Sequence, residues 1–166
     1  MVIASCQGKE KGIMTEILEE QTLEIENVLS FRGEIKQEDL ETVGKDMEEK
    51  IVLAGAVSSG NPITVTYGVE NDIFDIEILL PVNKNPGIRN IGKYIFKDKI
   101  KIVNAVVAKH KGSLSKLQDT CRQLNQYILD KGLIPITAGY NVTKKINPVN
   151  EDSTEVDVYV GVYNRF

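Results

Sequence analysis

The segment from Gly112 to Val142 joins a helical pattern to a strand pattern, and this pairing constrains the fold more than any other stretch. Ser115 with Gln118 three residues later predicts the helix start, and Gly132 predicts its left-handed end. Apolar residues three and four positions apart form one stripe between them: Leu114, Leu117, Cys121, Leu124 and Ile128. From residue 134 to 142 apolar and polar residues alternate, which predicts a half-buried strand.

A similar order of elements occurs earlier in the chain. An extended segment, 23–35, precedes a second helical stripe, formed by Leu40, Val43, Met47 and Ile51. Two alternating strands follow at 63–69 and 74–82, and Asn71-Asp72 predicts a tight turn between them. The second half repeats this order with a strand at 100–109, the helix, the strand through Tyr140 and a last strand at 156–162.

The two halves also match in residues. NPITVTYG, with Pro62, is similar to LIPITAGY, with Pro135, while FDIEILLPV and EVDVYVGV place Glu77 against Asp157. We infer an internal duplication of a strand-helix-strand-strand unit. One such unit leaves a sheet face and its edges exposed, so the predicted fold is α+β, with duplicated units forming one antiparallel sheet and two helices on one face.

These patterns predict one domain in the 166 residues. Residues 1–22 carry little pattern and are assigned as an N-terminal extension, a candidate for disorder. Residues 23–166 form the domain, with halves at 23–82 and 100–163 and a lysine-rich connector at 83–99.

The composition, 42% apolar and 27% charged, is typical of a globular protein, and no run of about 18 apolar residues predicts a membrane span. The N-terminus lacks an apolar core of signal-peptide length, so we expect a cytoplasmic protein. Two cysteines make no disulfide framework.

Charge is distributed unevenly along the chain. Residues 16–50 hold twelve acidic and four basic residues, whereas 84–116 hold nine basic residues and one acidic residue. Apolar residues interrupt the lysines and no aromatic or arginine-rich motif accompanies them, so we expect no direct binding to nucleic acid. The simpler interpretation is that both charged segments are solvated faces.

The residues give little support to an enzyme. His110 is the only histidine, and neither Cys6 nor Cys121 has metal-ligand spacing with it, so we expect no metal or other cofactor. Phosphate-binding glycine loops and the GxSxG elbow are absent from the sequence. Neighbouring carboxylates among Asp75, Glu77, Glu155 and Asp157 could pair for acid–base chemistry, but strand alternation with solvent explains them more simply.

Several segments of the sequence resemble those of a known family. The repeated strand-helix-strand-strand order, the helix that opens after Gly112, YILDKGLIPITAGYNV and the closing EVDVYVGV look like the GyrI-like superfamily. That superfamily includes effector-binding domains of multidrug-responsive transcription regulators, and the resemblance covers about residues 23–163. Within it the chain looks closest to an uncharacterised Firmicutes family often encoded beside type VII secretion genes, for which a role as a cargo chaperone is suggested.

The resemblance implies a cleft between the halves that takes bulky, apolar, often cationic ligands. In the superfamily a glutamate on the second-half strand after the helix is the counter-charge, and the matching position here is Asn141. An amide cannot supply a net negative charge to a desolvated cation, so cation specificity is in doubt.

Strand parity offers a substitute for that glutamate. If the helices cover the face of Ile76, Ile78, Val156 and Val158, one opposite face should hold the predicted ligand-binding residues, which are Thr66, Glu77, Leu79, Asn141, Asp157 and Tyr159. Two matched carboxylates could then replace one glutamate. The alternative is that this face is the solvated side of an antiparallel sheet.

The leading functional hypothesis is therefore a non-enzymatic binding module, a stand-alone GyrI-like effector-binding domain without its own DNA-binding segment. The predicted partner is a bulky apolar or cationic small molecule, or a protein. We expect no binding to a membrane and no direct binding to nucleic acid. The alternative is a type VII secretion-associated cargo chaperone or adaptor.

Overall fold

The computed structural model describes residues 15–147 and 149–164 and divides into two compact units. The first unit comprises residues 23–102. The second unit combines the described residues up to Thr22 with those from Val103 onward. Two long strands run through both units, so the chain passes between them within continuous secondary structure.

The elements follow the repeated order predicted from the sequence. In chain order they are β1 (Glu16–Lys36), α1 (Leu40–Leu53), β2 (Ile63–Glu70), β3 (Ile73–Pro81), β4 (Asn90–Ile91), β5 (Tyr94–Lys111), α2 (Leu117–Asp130), β6 (Ile134–Pro135), β7 (Tyr140–Lys145) and β8 (Glu155–Tyr163). Short 3-10 helices occupy Gln37–Asp39, Leu114–Lys116 and Glu151–Ser153. Neither described helix is long and apolar enough to cross a membrane.

In the first unit β1 pairs with β3, β3 with β2, and β4 with β5, always antiparallel. One face of these strands packs against α1 through Val43, Met47 and Ile51, as the helical stripe predicts. The strand side of this core consists of Leu29, Phe31, Ile76, Ile78, Leu80 and Tyr94. Removing these side chains from water is the main stabilising term of the unit.

The second unit has the same arrangement. Strand β5 pairs with β8, and β8 pairs with β7 and β6, again antiparallel. Leu124 and Ile128 of α2 pack on one face of these strands, against Val106, Ala108, Val156, Val158, Val160 and Val162. The α+β class with antiparallel strands and one helix per half is thus the fold of the protein.

Several predicted boundaries differ from the structure. Strand β1 begins at Glu16, inside the segment 1–22 assigned as an extension, and Ile17 packs against the core of the second unit. Its acidic neighbours weaken the apolar alternation that would have shown this in the sequence. Residues 1–14 of that extension lie outside the described residues.

The connector 83–99 is shorter than predicted, because it contains β4 and the first residues of β5. Tyr94 and Phe96 face the α1 core and alternate with Ile95, Lys97 and further lysines. Such long charged side chains are compatible with a strand, so a lysine-rich composition was a poor guide to a loop here.

The start of the second helix is also displaced. Ser113 caps the 3-10 turn Leu114–Lys116, because its hydroxyl accepts a hydrogen bond of 3.3 Å from the Ser115 backbone N–H, and this turn leads into α2 at Leu117. Leu114 lies on that turn and is exposed, so it is not part of the buried stripe. The predicted end is confirmed, because Gly132 has a φ of +69°.

The strand predicted from 134 to 142 is broken into β6 and β7. Between them the hydroxyl of Thr137 accepts a hydrogen bond from the Gly161 backbone N–H at 2.8 Å, in place of a backbone carbonyl. The β2–β3 turn is confirmed, since Asn71 and Asp72 both have positive φ, as a two-residue type I′ hairpin requires.

Candidate functional site: a buried carboxylate cluster

The helix-covered faces are those predicted from strand parity. Ile76 and Ile78 belong to the core under α1, and Val156 and Val158 to the core under α2. Residues directly opposite each other in an antiparallel pair project to the same face, so the register assigns every neighbouring side chain to a face.

Glu77 lies on the helix-free face of the first unit, and its side chain is only 8% exposed. Its Oε2 accepts hydrogen bonds from the Ser30 hydroxyl at 3.1 Å and the Lys97 ammonium at 2.7 Å. Its Oε1 accepts one from the Tyr67 hydroxyl at 3.2 Å. Three strands besides its own thus supply donors, and we call these four residues the Glu77 cluster.

A second charged pair borders this cluster. Arg32 lies directly opposite Glu77 in the β1–β3 register, but its guanidinium bonds to Asp75 and stacks 4.2 Å from the centre of the Tyr67 ring. The hydrogen bond from Arg32 lowers the pKa of the Asp75 carboxyl and raises that of the guanidinium. With two cations and two carboxylates, the cluster and its border are close to electrically neutral.

Leu79 follows Glu77 on the same face and is fully buried, opposite Ser30 on one side and Ile63 on the other. Val28, Ile63 and Val65 are also buried at 1% exposure or less. The alternative that this face is an ordinary solvated sheet surface is therefore wrong at Glu77 and Leu79.

Asp157 occupies the corresponding position of the second unit. Val142 lies opposite Asp157 as Val65 lies opposite Glu77, and both β-hairpins have an irregularity just beyond that pair. Asp157 is 7% exposed, and the Lys109 ammonium is 3.7 Å from it. Burial, and then the nearby Asp157 carboxylate, raise the pKa of Tyr159.

Two predicted site residues lie on the wrong face. Thr66 is opposite Ile76 and Asn141 is opposite Val158, so both project toward the helix-covered side of their own units. Counted back from the Asn71-Asp72 turn, Thr66 would lie opposite Glu77. The bulge at Tyr67 shifts the register, so Thr66 lies opposite Ile76 instead. For Asn141 the reason is that the apolar side of β7 is the helix-free side, since Tyr140 lies opposite Tyr159 and Val142 opposite Asp157.

The register also contradicts one of the sequence matches between the halves. The similarity of Pro62 to Pro135 would make Ile63 equivalent to Ile136, but Ile63 pairs with Leu79, whereas Tyr159 pairs with Tyr140. The match of Glu77 to Asp157 agrees with the register. A duplication of the gene remains a prediction.

Sequence reasoning missed Ser30, Tyr67 and Lys97 as partners of Glu77. One signal was available for Lys97, because lysines recur at odd positions along β5, opposite in parity to the core residues Tyr94 and Phe96. On the same strand Lys99 and Lys101 contact Glu24 and lower its pKa. Four of the nine basic residues of 84–116 are thus paired with carboxylates rather than simply solvated: Lys97, Lys99, Lys101 and Lys109.

His110 is buried and its ring contacts Thr120 and Ser113. Its Nδ1 lies 2.7 Å from the Thr120 hydroxyl and its Nε2 lies 3.0 Å from the Ser113 carbonyl oxygen. Because a carbonyl can only accept, Nε2 carries the proton and donates. Burial raises the pKa of the Cys121 thiol. No group of three or more metal-ligating side chains is found within residues 15–147 and 149–164.

Comparison with protein-family models and with curated proteins gives no match. Solved structures do match. The chain is similar to the EcmrR chain in the cryo-EM structure of the EcmrR–DNA complex in EcmrR-RPo, with a TM-score of 0.77 and 20% identity. That alignment covers 98% of this chain and 62% of the EcmrR chain. The crystal structure of the EcmrR C-terminal domain matches with a TM-score of 0.72 and 16% identity over 92% of this chain and 100% of that domain.

A crystal structure described as a hydrolase from Listeria innocua also matches, with a TM-score of 0.61 and 11% identity over 90% of this chain and 91% of the other. At these identities the likenesses show the fold. The protein therefore has the α+β GyrI-like fold that the sequence predicts, and it spans less than two thirds of the EcmrR chain it matches.

Proposed function

We propose that the protein is a non-enzymatic binding module for a bulky, apolar small molecule, of the effector-binding type. The fold shared with the EcmrR C-terminal domain supports this class. The observation that carries the proposal is the Glu77 cluster, a desolvated carboxylate with three donors on the helix-free face.

A carboxylate as buried as that of Glu77 is costly to desolvate, so its ion pair with Lys97 is weak evidence for a purely stabilising role. Polar groups that converge in an otherwise apolar surface are instead typical of ligand recognition. The stacked Arg32 and Tyr67 add a flat, partly exposed surface against which an aromatic ligand can pack. Because Lys97 already neutralises Glu77, an uncharged ligand fits this face better than the cationic ligand implied by the family resemblance.

The test uses matched compounds of similar shape, such as triphenylphosphine oxide and tetraphenylphosphonium, within a panel of bulky aromatics. Thermal unfolding and calorimetric titration should identify an uncharged compound that binds the wild type with one-to-one stoichiometry. Tyr67→Ala should weaken its binding about tenfold or more, since stacking and a hydrogen bond are both lost. Glu70→Gln, which changes an exposed carboxylate of the same hairpin, is the control and should bind normally. Binding by none of the compounds, or equal binding by Tyr67→Ala, would contradict the proposal.

A role as a secretion-associated chaperone or adaptor is the second candidate. Val52 and Leu53 at the end of the acidic helix α1, and Val57 just after it, are exposed apolar side chains. If a cargo protein binds there, Leu53→Ser should reduce co-purification with the product of a neighbouring gene. An ionic contribution from α1 should also weaken the complex between about 0.05 and 0.5 M salt, as the screening length falls from above roughly 10 Å to a few Å. A complex unaffected by both changes would contradict this interface.

A further inference from the structure

The Glu77 cluster has the composition of a binding site for a primary ammonium group. The Glu77 carboxylate accepts a charge-assisted hydrogen bond of 2.7 Å from the Lys97 ammonium, and the Ser30 and Tyr67 hydroxyls donate to the same carboxylate and hold it in place. Such bonds are stronger than those between neutral groups, and they strengthen further where water is excluded.

The occupant of this site is the chain itself. Lys97 comes from β5, twenty residues beyond Glu77, and 39% of its side chain is exposed to solvent. The carboxylate that it contacts is 8% exposed. The ammonium therefore comes from a partly exposed side chain, whereas its acceptor is desolvated, so Lys97 can leave Glu77 toward solvent.

The neighbouring cation does not fill the site. Arg32 is directly opposite Glu77, yet its guanidinium bonds to Asp75 and stacks on Tyr67. The register alone would favour an Arg32–Glu77 pair across the strands. The ammonium of Lys97, from a different strand, contacts the Glu77 carboxylate instead. The site therefore accommodates a narrow ammonium group better than a planar guanidinium.

We propose that the Glu77 carboxylate, positioned by the Ser30 and Tyr67 hydroxyls, is a primary-ammonium site that Lys97 occupies as an intramolecular ligand, so that an external amine binds only in exchange for it. Lys97 is then the specificity-determining residue that excludes cations from the wild-type protein. The inference rests on the proposed function only in assigning ligand binding to this face.

The test is chemical rescue. Lys97→Ala removes the atoms from Cγ to Nζ, which correspond to n-propylammonium. This variant should unfold at a lower temperature than the wild type, and n-propylammonium chloride should restore much of the loss. The variant should bind n-propylammonium at least tenfold more tightly than the wild type does. Tetramethylammonium, with the same charge but no N–H donor, should restore nothing beyond the effect of sodium chloride.

Two variants serve as matched controls. Lys97→Ala combined with Glu77→Gln should not respond to n-propylammonium, because the charged acceptor is gone. Lys109→Ala removes an ammonium that lies 3.7 Å from Asp157, the counterpart of Glu77 in the second unit, and so beyond hydrogen-bond distance. Lys109 is directly opposite Asp157, as Arg32 is opposite Glu77, and this variant should show no rescue either. Absence of rescue in folded Lys97→Ala, or equal rescue in the double variant, would overturn the proposal.

A second measurement keeps the proposal testable if Lys97→Ala does not fold. In the wild type, NMR of the lysine side-chain ammonium groups should show one signal protected from exchange with water. Glu77→Gln should abolish that protection, and persistence of the signal would overturn the proposal. The panel of aromatic compounds is tested on the wild type, so its failure would contradict the proposed function and leave the rescue result standing.

Discussion

The hydroxyl group of Tyr94 donates a hydrogen bond of 2.5 Å to the carboxylate of Asp46 and so joins β5 to α1 in the first unit. Tyr94 is 1% exposed, and its ring packs edge-on against Phe31 at 6.1 Å between centroids. The hydrogen bond from Tyr94 lowers the pKa of Asp46, which also pairs with Lys50. A buried aromatic ring and its polar end thus fix the strand against the helix.

Tyr94→Phe should therefore lower the free energy of unfolding by about 1–2 kcal/mol, since it removes a hydrogen bond to a charged acceptor and keeps the ring in place. Urea denaturation measures this change. Tyr163→Phe is the control, because Tyr163 is largely exposed, and it should change stability by less than about 0.5 kcal/mol. Equal effects of the two substitutions would contradict the role assigned to the Tyr94–Asp46 bond.

The sequence predicts the helices and the β2–β3 hairpin because their signals are local. The stripe through Val43, Met47 and Ile51 and the positive φ at Asn71 and Asp72 depend only on nearby residues. The face of Thr66 depends on a bulge, which alters parity without changing the apolar pattern. Asn141 lies on the helix-covered side because the apolar residues Tyr140 and Val142 face the helix-free side, and apolar alternation alone does not show which side a helix covers.

The Glu77 cluster, too, could be predicted only in part from the sequence. Parity places Glu77 and Leu79 on the helix-free face, and the structure agrees. The partner Lys97 comes from a strand that the lysine-rich composition concealed, and Tyr67 reaches Glu77 from the bulge. Contacts between strands distant in sequence carry no local signal, so the predicted site contained the acceptor but not its donors.

Leu79 tests whether the helix-free face is packed as tightly as the helix-covered one. Its side chain is fully buried, so Leu79→Ala should lower the free energy of unfolding by about 2–5 kcal/mol through lost burial and the cavity left behind. Leu129→Ala, at a position of α2 that is 70% exposed, should cost less than about 1 kcal/mol. Chemical denaturation of both variants makes the comparison, and similar values would mean that Leu79 is accessible in solution.

Tyr127 and Glu19 provide a test of the first part of β1. The Tyr127 hydroxyl of α2 donates a hydrogen bond to the Glu19 carboxylate, and this bond raises the pKa of Tyr127 to about 12, with a smaller contribution from burial. An unperturbed tyrosine titrates near pH 10. Because the folded state holds the proton more tightly, the stabilisation is complete below about pH 10 and is lost as the pH rises through about 12.

Tyrosine-selective NMR of the ring carbon next to the hydroxyl should therefore show Tyr127 titrating near pH 12 in the wild type. Glu19→Gln keeps an acceptor but removes its charge, so the pKa of Tyr127 should fall toward 10. Glu16→Gln is the control, since Glu16 lies on the same strand and is exposed, and it should leave the titration unchanged. Titration of wild-type Tyr127 near pH 10 would mean that Glu19 does not bond to α2, and that residues 16–22 behave as the extension predicted from the sequence.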